Sequence, residues 1–290
     1  MLARKRYSIG NCVAKQAVNG SLRLHKSAGR GGGARPAGNM VDVDMAIDVI
    51  DLRDFYAQRL GMVARRLINR AIHAHWPSLE GQCVVGLGYP TPYLGLFREE
   101  CERCIALMPA AQGVLKWPTA RPALATLVDE FSLPLQDAVA DRILLVHALE
   151  VSDDPESLLR EVWRILSPSG RMMVIVPNRR GIWTRTDTTP FGHGQPYSRS
   201  QITQLLRQTW FTPSAWGEAL FVPPINGNWF LRSAAAWERI GAALSLPFAG
   251  VHIVEATKQV YRPIAAKREH SRLIPVLQPT LAPSSCNTEE

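Results

Sequence analysis

Acidic residues are missing from the first 39 positions of this chain, which hold eight lysines and arginines. The whole sequence has 33 basic and 25 acidic residues and a net charge of +8, so the charges of residues 40–290 cancel. Proteins that bind nucleic acid neutralise its phosphates with a broad basic surface. A neutral body lacks that surface, and we therefore expect no nucleic-acid partner.

The sequence also lacks a long apolar run, a secretory signal and an even set of cysteines. These absences predict no transmembrane segment, no disulfide framework and a reducing, cytoplasmic location. Cys101 and Cys104 have the spacing of a metal or redox pair, but no second pair accompanies them. We interpret them as two buried thiols and expect no metal site.

Two compositional breaks divide the chain. Residues 1–42 are basic and glycine-rich without an apolar period, which predicts a disordered tail. That tail is either a transit-like segment or the product of a gene start placed too early, with translation beginning at Met40 or Met45. Residues 263–290 are rich in Pro, Ser and Thr and are predicted to be a flexible C-terminal tail. Residues 43–262 are expected to form one domain.

The most informative segment, residues 129–178, predicts a βαβ unit. Apolar runs at Arg142–His147 and Met172–Val176 are typical of buried parallel strands. Between them, Pro155 suits the first turn of an amphipathic helix that Asp153 or Asp154 caps. A Ser-Pro-Ser-Gly turn is expected to end this helix.

Strands and helices alternate through the rest of the body, which predicts a doubly wound α/β fold. Helices are expected within Val43–Ala74, with a break at Gly61, and at Tyr93–Glu102, Ser198–Gln208 and Asn228–Leu246. Further strands are expected at Gln82–Gly88 and Arg103–Met108, within Pro122–Glu130 and Phe211–Val222, and at Val251–Tyr261.

The same segment carries a series of short motifs in a fixed order: Asp129, Leu133-Pro134, Asp141, Asp153-Asp154-Pro155, Arg164-Ile165-Leu166 and Pro168-Ser169-Gly170. In this order they resemble the class I S-adenosylmethionine-dependent methyltransferases of the type 11 branch. The resemblance is specific over residues 80–180 and looser over 181–262. It implies a Rossmann-like, mostly parallel seven-stranded sheet with flanking helices.

The resemblance implies S-adenosylmethionine as the cofactor, bound at the carboxyl ends of the strands. The family's Asp-x-Gly-x-Gly-x-Gly turn is replaced here by residues 86–92, GLGYPTP, and the second strand ends without the family's ribose-binding acid. A helix before the first strand commonly covers the pocket, so Tyr56 and Arg59 could reach it. The predicted cofactor-binding residues are Gly86, Gly88, Tyr89, Thr91, Met108, Asp129, Glu130, Phe131 and His147.

The acceptor is expected to bind at the loop Asn178–Tyr197, which follows the fifth strand and concentrates polar and aromatic groups. His193 is the candidate catalytic base. The candidate substrate-binding residues are Arg180, Trp183, Phe191, Tyr197 and Trp229. The alternative is an ordered surface loop with solvated arginines.

The predicted function is methyl transfer from S-adenosylmethionine to a small-molecule or lipid-like acceptor. The alternative is a degenerate methyltransferase fold that binds a ligand or partner without catalysis. A nicotinamide dehydrogenase would need a complete Gly-x-Gly-x-x-Gly turn and a ribose acid, and the chain has neither. The sequence does not indicate an oligomeric state.

Overall fold

A computed structural model describes residues 47–243 and 248–260, apart from the side chains of Asn228 and Ala242. The predicted tails, 1–42 and 263–290, lie outside the described residues. Within the described part, no helix combines the length and apolar character that crossing a membrane requires.

Seven strands form one sheet in the order β3-β2-β1-β4-β5-β7-β6. Strands β1 to β5 pair in parallel, and β7 runs antiparallel to both β5 and β6. The predicted doubly wound, mostly parallel seven-stranded sheet is therefore confirmed. The strands are β1 Cys83–Gly88, β2 Arg103–Pro109, β3 Ala125–Val128, β4 Ala140–Val146, β5 Leu166–Pro177, β6 Phe211–Ala219 and β7 Val251–Lys258.

Among the described residues, six helices connect or flank these strands, with two 3₁₀ turns in the loop after β5, at Trp183–Arg185 and Pro190–Gly192. The predicted helix at Tyr93–Glu102 is wrong in extent: one turn ends at Leu94, and turns follow it. The helices are α1 Val49–Ala57, α2 Arg59–His75, α3 Thr91–Leu94, α4 Pro155–Ile165, α5 Arg199–Gln208 and α6 Asn228–Ala243.

The first two helices meet at Gln58, which is extended, and not at Gly61 as the sequence predicted. Asp48 caps α1 by accepting a hydrogen bond from the Ile50 amide at 2.8 Å. Gly61 lies inside α2, where a Cβ atom would approach the Phe55 carbonyl oxygen to 2.0 Å. Its missing side chain therefore permits the close packing of α1 on α2.

The βαβ unit of β4, α4 and β5 forms as predicted, with Asp154 as the helix cap. Residues Ser167–Gly170 do not form a separate turn, because β5 already begins at Leu166 and includes them. The register of β4 against β5 shifts between Ala140 and Arg142, which accommodates these extra residues as an irregularity.

Buried apolar side chains form one core on each face of the sheet. One core packs under α1, α2 and α3, and the other packs under α4 and α5. Along β7, Ile253 contributes to the first core and Val254 to the second, as the alternation of a strand requires. The carboxyl ends of the parallel strands meet at one edge between these layers.

The turn after β1 generates a prediction about stability. Gly88 has φ +93°, and a Cβ atom there would lie 2.2 Å from the Val146 carbonyl oxygen. Gly88→Ala should therefore lower the free energy of unfolding by about 2–4 kcal/mol, measured by urea denaturation.

Gly95→Ala is the matched control, since a Cβ atom there meets nothing within 4 Å and φ is −57°. Its free energy of unfolding should change by less than about 1 kcal/mol. Equal losses in the two variants would contradict the assignment of Gly88 to a close backbone contact.

Candidate active site

The carboxyl ends of β1 and β4 meet at a backbone junction. Just past Gly88, the amide of Tyr89 donates to the Val146 carbonyl at 2.7 Å. His147, the residue that follows β4, has φ +50°, a conformation that non-glycine residues rarely adopt. The side-chain amide of Gln112 donates to its carbonyl and holds this strained residue in place.

A line of buried hydrogen bonds runs from Glu150 through the His147 ring and Tyr56 to Tyr93. The imidazole Nδ1 lies 3.0 Å from Glu150 Oε1, and the imidazole Nε2 lies 2.8 Å from the Tyr56 hydroxyl. The Tyr56 hydroxyl lies 2.8 Å from the Tyr93 hydroxyl. All four side chains are at least nine-tenths buried, so water does not compete for these bonds.

The chemistry of the four groups fixes the direction of these bonds. A carboxylate at Glu150 accepts the Nδ1 proton, which leaves Nε2 as an acceptor. Tyr56 then donates to Nε2 and accepts from Tyr93. Burial raises the pKa of both phenols well above the ordinary value, so both stay protonated donors.

One atom of this line has no partner. Glu150 Oε2 is buried and forms no hydrogen bond with any residue that the structure describes. Buried polar atoms are usually paired, so an unpaired carboxylate oxygen marks a site where a ligand or solvent proton would be favoured.

Aromatic rings enclose His147. The Phe191 ring lies 5.1 Å from the imidazole, and Tyr56 stacks on Tyr89 with centroids 5.9 Å apart. Phe191 also contacts Phe55 and Trp183 edge to face. The candidate acceptor residue Phe191 and the candidate cofactor residue His147 are thus brought together, under a cover provided by α1.

The altered glycine turn has a packing explanation. A Cβ atom on Gly86 would lie 2.5 Å from the Pro90 ring and 2.7 Å from Leu94. Pro90 therefore takes the space that an acidic side chain at position 86 would need. In this packing, a larger side chain at position 86 and the proline at position 90 exclude each other.

The end of β2 is closed and carries no acid. Met108 is fully buried, and its sulfur accepts from the Leu115 amide at 3.5 Å. Gln112, also buried, is the polar group nearest this end with a defined bond, to the His147 carbonyl. Sequence reasoning missed Gln112, because nothing in a loop sequence indicates that its amide turns towards β4.

The end of β3 stays open. Asp129 is exposed, and its Oδ1 accepts from the Phe131 amide at 2.9 Å. Glu130 Oε1 accepts from the Ser152 hydroxyl at 2.5 Å, and burial raises the pKa of Glu130. The Phe131 side chain is 41% exposed. The Asp129 carboxylate therefore offers a hydrogen-bond acceptor, and the neighbouring Phe131 ring offers a surface for stacking.

The loop Asn178–Tyr197 is ordered by its own contacts. Trp183 is fully buried and donates from Nε1 to the Val222 carbonyl at 2.8 Å. Tyr197 donates to the Leu149 carbonyl, and burial raises its pKa to about 12. His193 is exposed, with Nε2 2.8 Å from the Asp187 carbonyl oxygen.

The other candidate residues are less buried than this cluster, and Thr91 hydrogen-bonds to the Tyr89 side chain that stacks on Tyr56. Thr91 is half-buried in α3. Arg180 is exposed on the loop after β5, and Trp229 is 66% exposed on α6. Burial raises the pKa of Cys104 to about 12, so this thiol stays protonated. Among the residues described, no cluster of three or more His, Cys, Asp or Glu is suited to a metal.

Sequence reasoning found half of the hydrogen-bonded line. His147 was predicted at the site, and Tyr56 was named as a residue that could reach it, although ordinary packing of the helix was the favoured interpretation. Tyr93 and Glu150 were missed, although Glu150 follows the β4 strand by four residues. A carboxylate three residues after a histidine at a strand's carboxyl end is the signal that could have indicated it.

The family comparison and the structure comparison both match this chain to methyltransferases. Residues 85–174 match the family Methyltransf_11, described as a methyltransferase domain. No curated protein sequence matches the chain. A solved S-adenosylmethionine-dependent methyltransferase of Thermotoga maritima is 18% identical, with a TM-score of 0.52 over 73% of this chain and 96% of that one. A methyltransferase of Haloferax volcanii, solved with the Trm112 methyltransferase activator, is 19% identical, with a TM-score of 0.54 over 73% and 98%.

The hydrogen-bonded line generates a stability prediction. Tyr56→Phe keeps the stacked ring but leaves His147 Nε2 and the Tyr93 hydroxyl without their partner. The free energy of unfolding should fall by about 1–3 kcal/mol, measured by urea denaturation.

Tyr197→Phe is the matched control, because it removes one bond, to the Leu149 carbonyl at 3.2 Å. Its cost should be smaller, about 1 kcal/mol. If Tyr56→Phe costs no more than Tyr197→Phe, the line does not hold α1 on the strand ends.

Proposed function

We propose that this chain, which carries the class I S-adenosylmethionine-dependent methyltransferase domain, transfers a methyl group to a hydroxyl of a small or lipid-like acceptor. The sheet order and the match over residues 85–174 support the reaction class, whose cofactor is S-adenosylmethionine. The observation that carries the acceptor chemistry is the His147 Nε2, an acceptor nitrogen at the carboxyl end of β4.

The residues at the end of β3 fit the adenine end of this cofactor. Asp129 has one carboxylate oxygen on the Phe131 amide, and its exposed carboxylate is available to an amino group. The exposed Phe131 ring offers a surface for an adenine. Asp129, Glu130 and Phe131 would hold that end.

The residues at the ends of β1 and β2 do not fit the methionine and ribose ends as they stand. Pro90 occupies the space beside Gly86, and Met108 is buried. Tyr56 covers His147 and bonds to its Nε2. Binding there requires α1 to move away from the strand ends. Covering elements that open and close over a site are common in enzymes.

The Tyr56 hydroxyl has the chemistry of an acceptor hydroxyl. It is a phenol that donates a hydrogen bond to His147 Nε2, and it would move away from that nitrogen if α1 moved. A substrate hydroxyl in its place would donate the same bond. Phe191 would then pack beside that substrate, since it already contacts the imidazole.

In this proposal His147 is the general base. His147 Nε2 would take the proton of the acceptor hydroxyl, and the Glu150 carboxylate on Nδ1 would stabilise the imidazolium. The cofactor, when bound, would supply an electrophilic methyl group on a sulfonium, and S-adenosylhomocysteine would be the leaving group. The buried surroundings strengthen the His147–Glu150 interaction and exclude water.

His193 stays a prediction as a catalytic residue. Its ring is exposed and its Nε2 lies against the Asp187 carbonyl, so it is less suited to take a proton than His147. The neighbouring Gln195 amide donates to the Glu150 carbonyl at 2.6 Å. This contact indicates that the loop helps to hold the backbone of Glu150 in place.

A second candidate function is a binding module without catalysis. The filled space beside Gly86 and the absence of an acid at the end of β2 favour it. The two candidates differ in whether the cofactor binds, which a titration decides.

The first prediction is for S-adenosylhomocysteine titrated calorimetrically into the full chain. Measurable binding is expected, and Asp129→Ala should weaken it by about 1–3 kcal/mol, because a hydrogen bond to the adenine is lost. Glu80→Ala, exposed at the opposite end of β1, should leave the affinity unchanged. No binding to the unaltered chain would favour the binding module.

The second prediction separates the two histidines. Small phenols and hydroxylated lipids are screened with methyl-labelled S-adenosylmethionine, and turnover is measured on an accepted compound. His147→Gln should lower kcat by about 10²–10⁴-fold, and His193→Ala should lower it far less.

Glu150→Gln tests the same assignment without removing the imidazole. It should lower turnover while S-adenosylhomocysteine affinity is retained, because the carboxylate no longer stabilises the imidazolium. Full activity of both variants, or a larger loss in His193→Ala, would contradict the role of His147.

A further inference from the structure

A groove of about 1050 Å³ runs beside α5, on the sheet face opposite α1 and α2. One wall is the polar side of α5, and the other includes residues of the edge strand β6 and of its neighbour β7. The lining side chains of α5 recur every four residues, so they form one continuous stripe. They are Arg199, Ser200, Thr203, Gln204, Arg207 and Gln208.

The groove carries an excess of positive charge. Arg180, Arg199 and Arg207 line it against one carboxylate, Glu218. Within residues 47–243 and 248–260, none of these guanidinium groups forms an ion pair. Arg199 lies over the Trp216 ring at 4.6 Å, which orients it. Its charge also attracts the Glu218 carboxylate and counteracts the rise that burial causes in the pKa of Glu218.

His252 supplies an unpaired polar atom at the same end. It is only 4% exposed, and its Nδ1 has no hydrogen-bond partner among the described residues. The nearest carboxylate oxygen, on Glu218, lies 3.4 Å away. Burial and the nearby Arg199 lower the pKa of His252 to about 4, so the ring is neutral at pH 7 and offers a donor and an acceptor.

The opposite end of the groove is aromatic. Trp210 lines it and is 51% exposed, which leaves part of its ring surface open. Trp163 meets this ring edge to face at 5.6 Å and orients it. A flat ring of a ligand has a stacking partner there.

The two ends are separated by the length of the helix. Arg199 and Arg207 are eight residues apart, which is about 12 Å along an α-helix. The polar side chains between them, Thr203 and Gln204, face the groove. A fitting ligand therefore has an anionic group near Arg199, a polar middle and an aromatic group beyond Arg207, where Trp210 lines the groove.

We propose that this groove binds a nucleoside phosphate, with its phosphate at Arg199 and Arg180 and its base on Trp210. Guanidinium groups bind phosphate oxygens in pairs, and His252 completes the anion site with a neutral donor. Gln204 and Thr203 contact the sugar. This site is separate from His147 and does not depend on methyl transfer.

The test is a calorimetric titration of the full chain with ADP. Binding is expected, and Arg199→Gln and Trp210→Leu should each weaken it by about tenfold or more. Arg239→Gln, on the exposed side of α6, is the matched control and should bind ADP as the unaltered chain does. Adenosine and pyrophosphate, each offering one half of the ligand, should both bind more weakly than ADP.

The same titration with saturating S-adenosylhomocysteine separates this groove from the methyltransferase site. ADP affinity should not change, and Asp129→Ala should not weaken it. The proposal is overturned if ADP does not bind, if Arg199→Gln and Arg239→Gln bind it equally, or if S-adenosylhomocysteine displaces it.

Discussion

The backbone contact between the ends of β1 and β4 is the constraint on which the candidate site depends. Gly88 has a positive φ and lies against the Val146 carbonyl, so the chain can turn there only without a side chain. The Tyr89 amide then bonds to Val146, and His147 must take a left-handed conformation to leave the strand. The backbone therefore directs His147 out of the strand, and the bonds to Glu150 and Tyr56 hold its ring beside the aromatic side chains.

Around this contact, apolar and aromatic side chains pack against the strand ends. Pro90 fills the space that an acidic side chain at position 86 would need, and the Tyr93 hydroxyl donates a hydrogen bond to the Tyr56 hydroxyl. A proline in this turn also removes one amide donor. The hydrogen-bonded line that ends at Glu150 lies beside this apolar packing, and its imidazole keeps an acceptor nitrogen.

Most of the fold was predictable because strands and helices leave local patterns. The apolar runs of β1, β2, β4 and β7 and the spacing of α4 and α5 are visible in the sequence, and the family resemblance gave the strand number. Errors arose where tertiary contacts decide: α1 breaks at Gln58 because Gly61 is used for helix packing. Likewise, Ser167–Gly170 joins β5 because the register of β4 shifts there. The candidate site was only half predictable, since Tyr93 and Glu150 are identified by where their side chains meet.

The two faces of one sheet now carry opposite arrangements of charge. Beneath α1 the ionisable groups are buried and paired in a line, with one carboxylate oxygen unpaired. Beside α5 the arginines stay open to a groove, and one buried imidazole nitrogen faces a carboxylate without bonding to it. Strand alternation separates these environments, because neighbouring residues of β7 point to opposite cores. The loop after β5 nevertheless reaches both faces, since Arg180 lines the groove and Phe191 contacts the His147 ring. The two proposed sites are therefore connected by this loop as well as by the paired strands β5, β7 and β6.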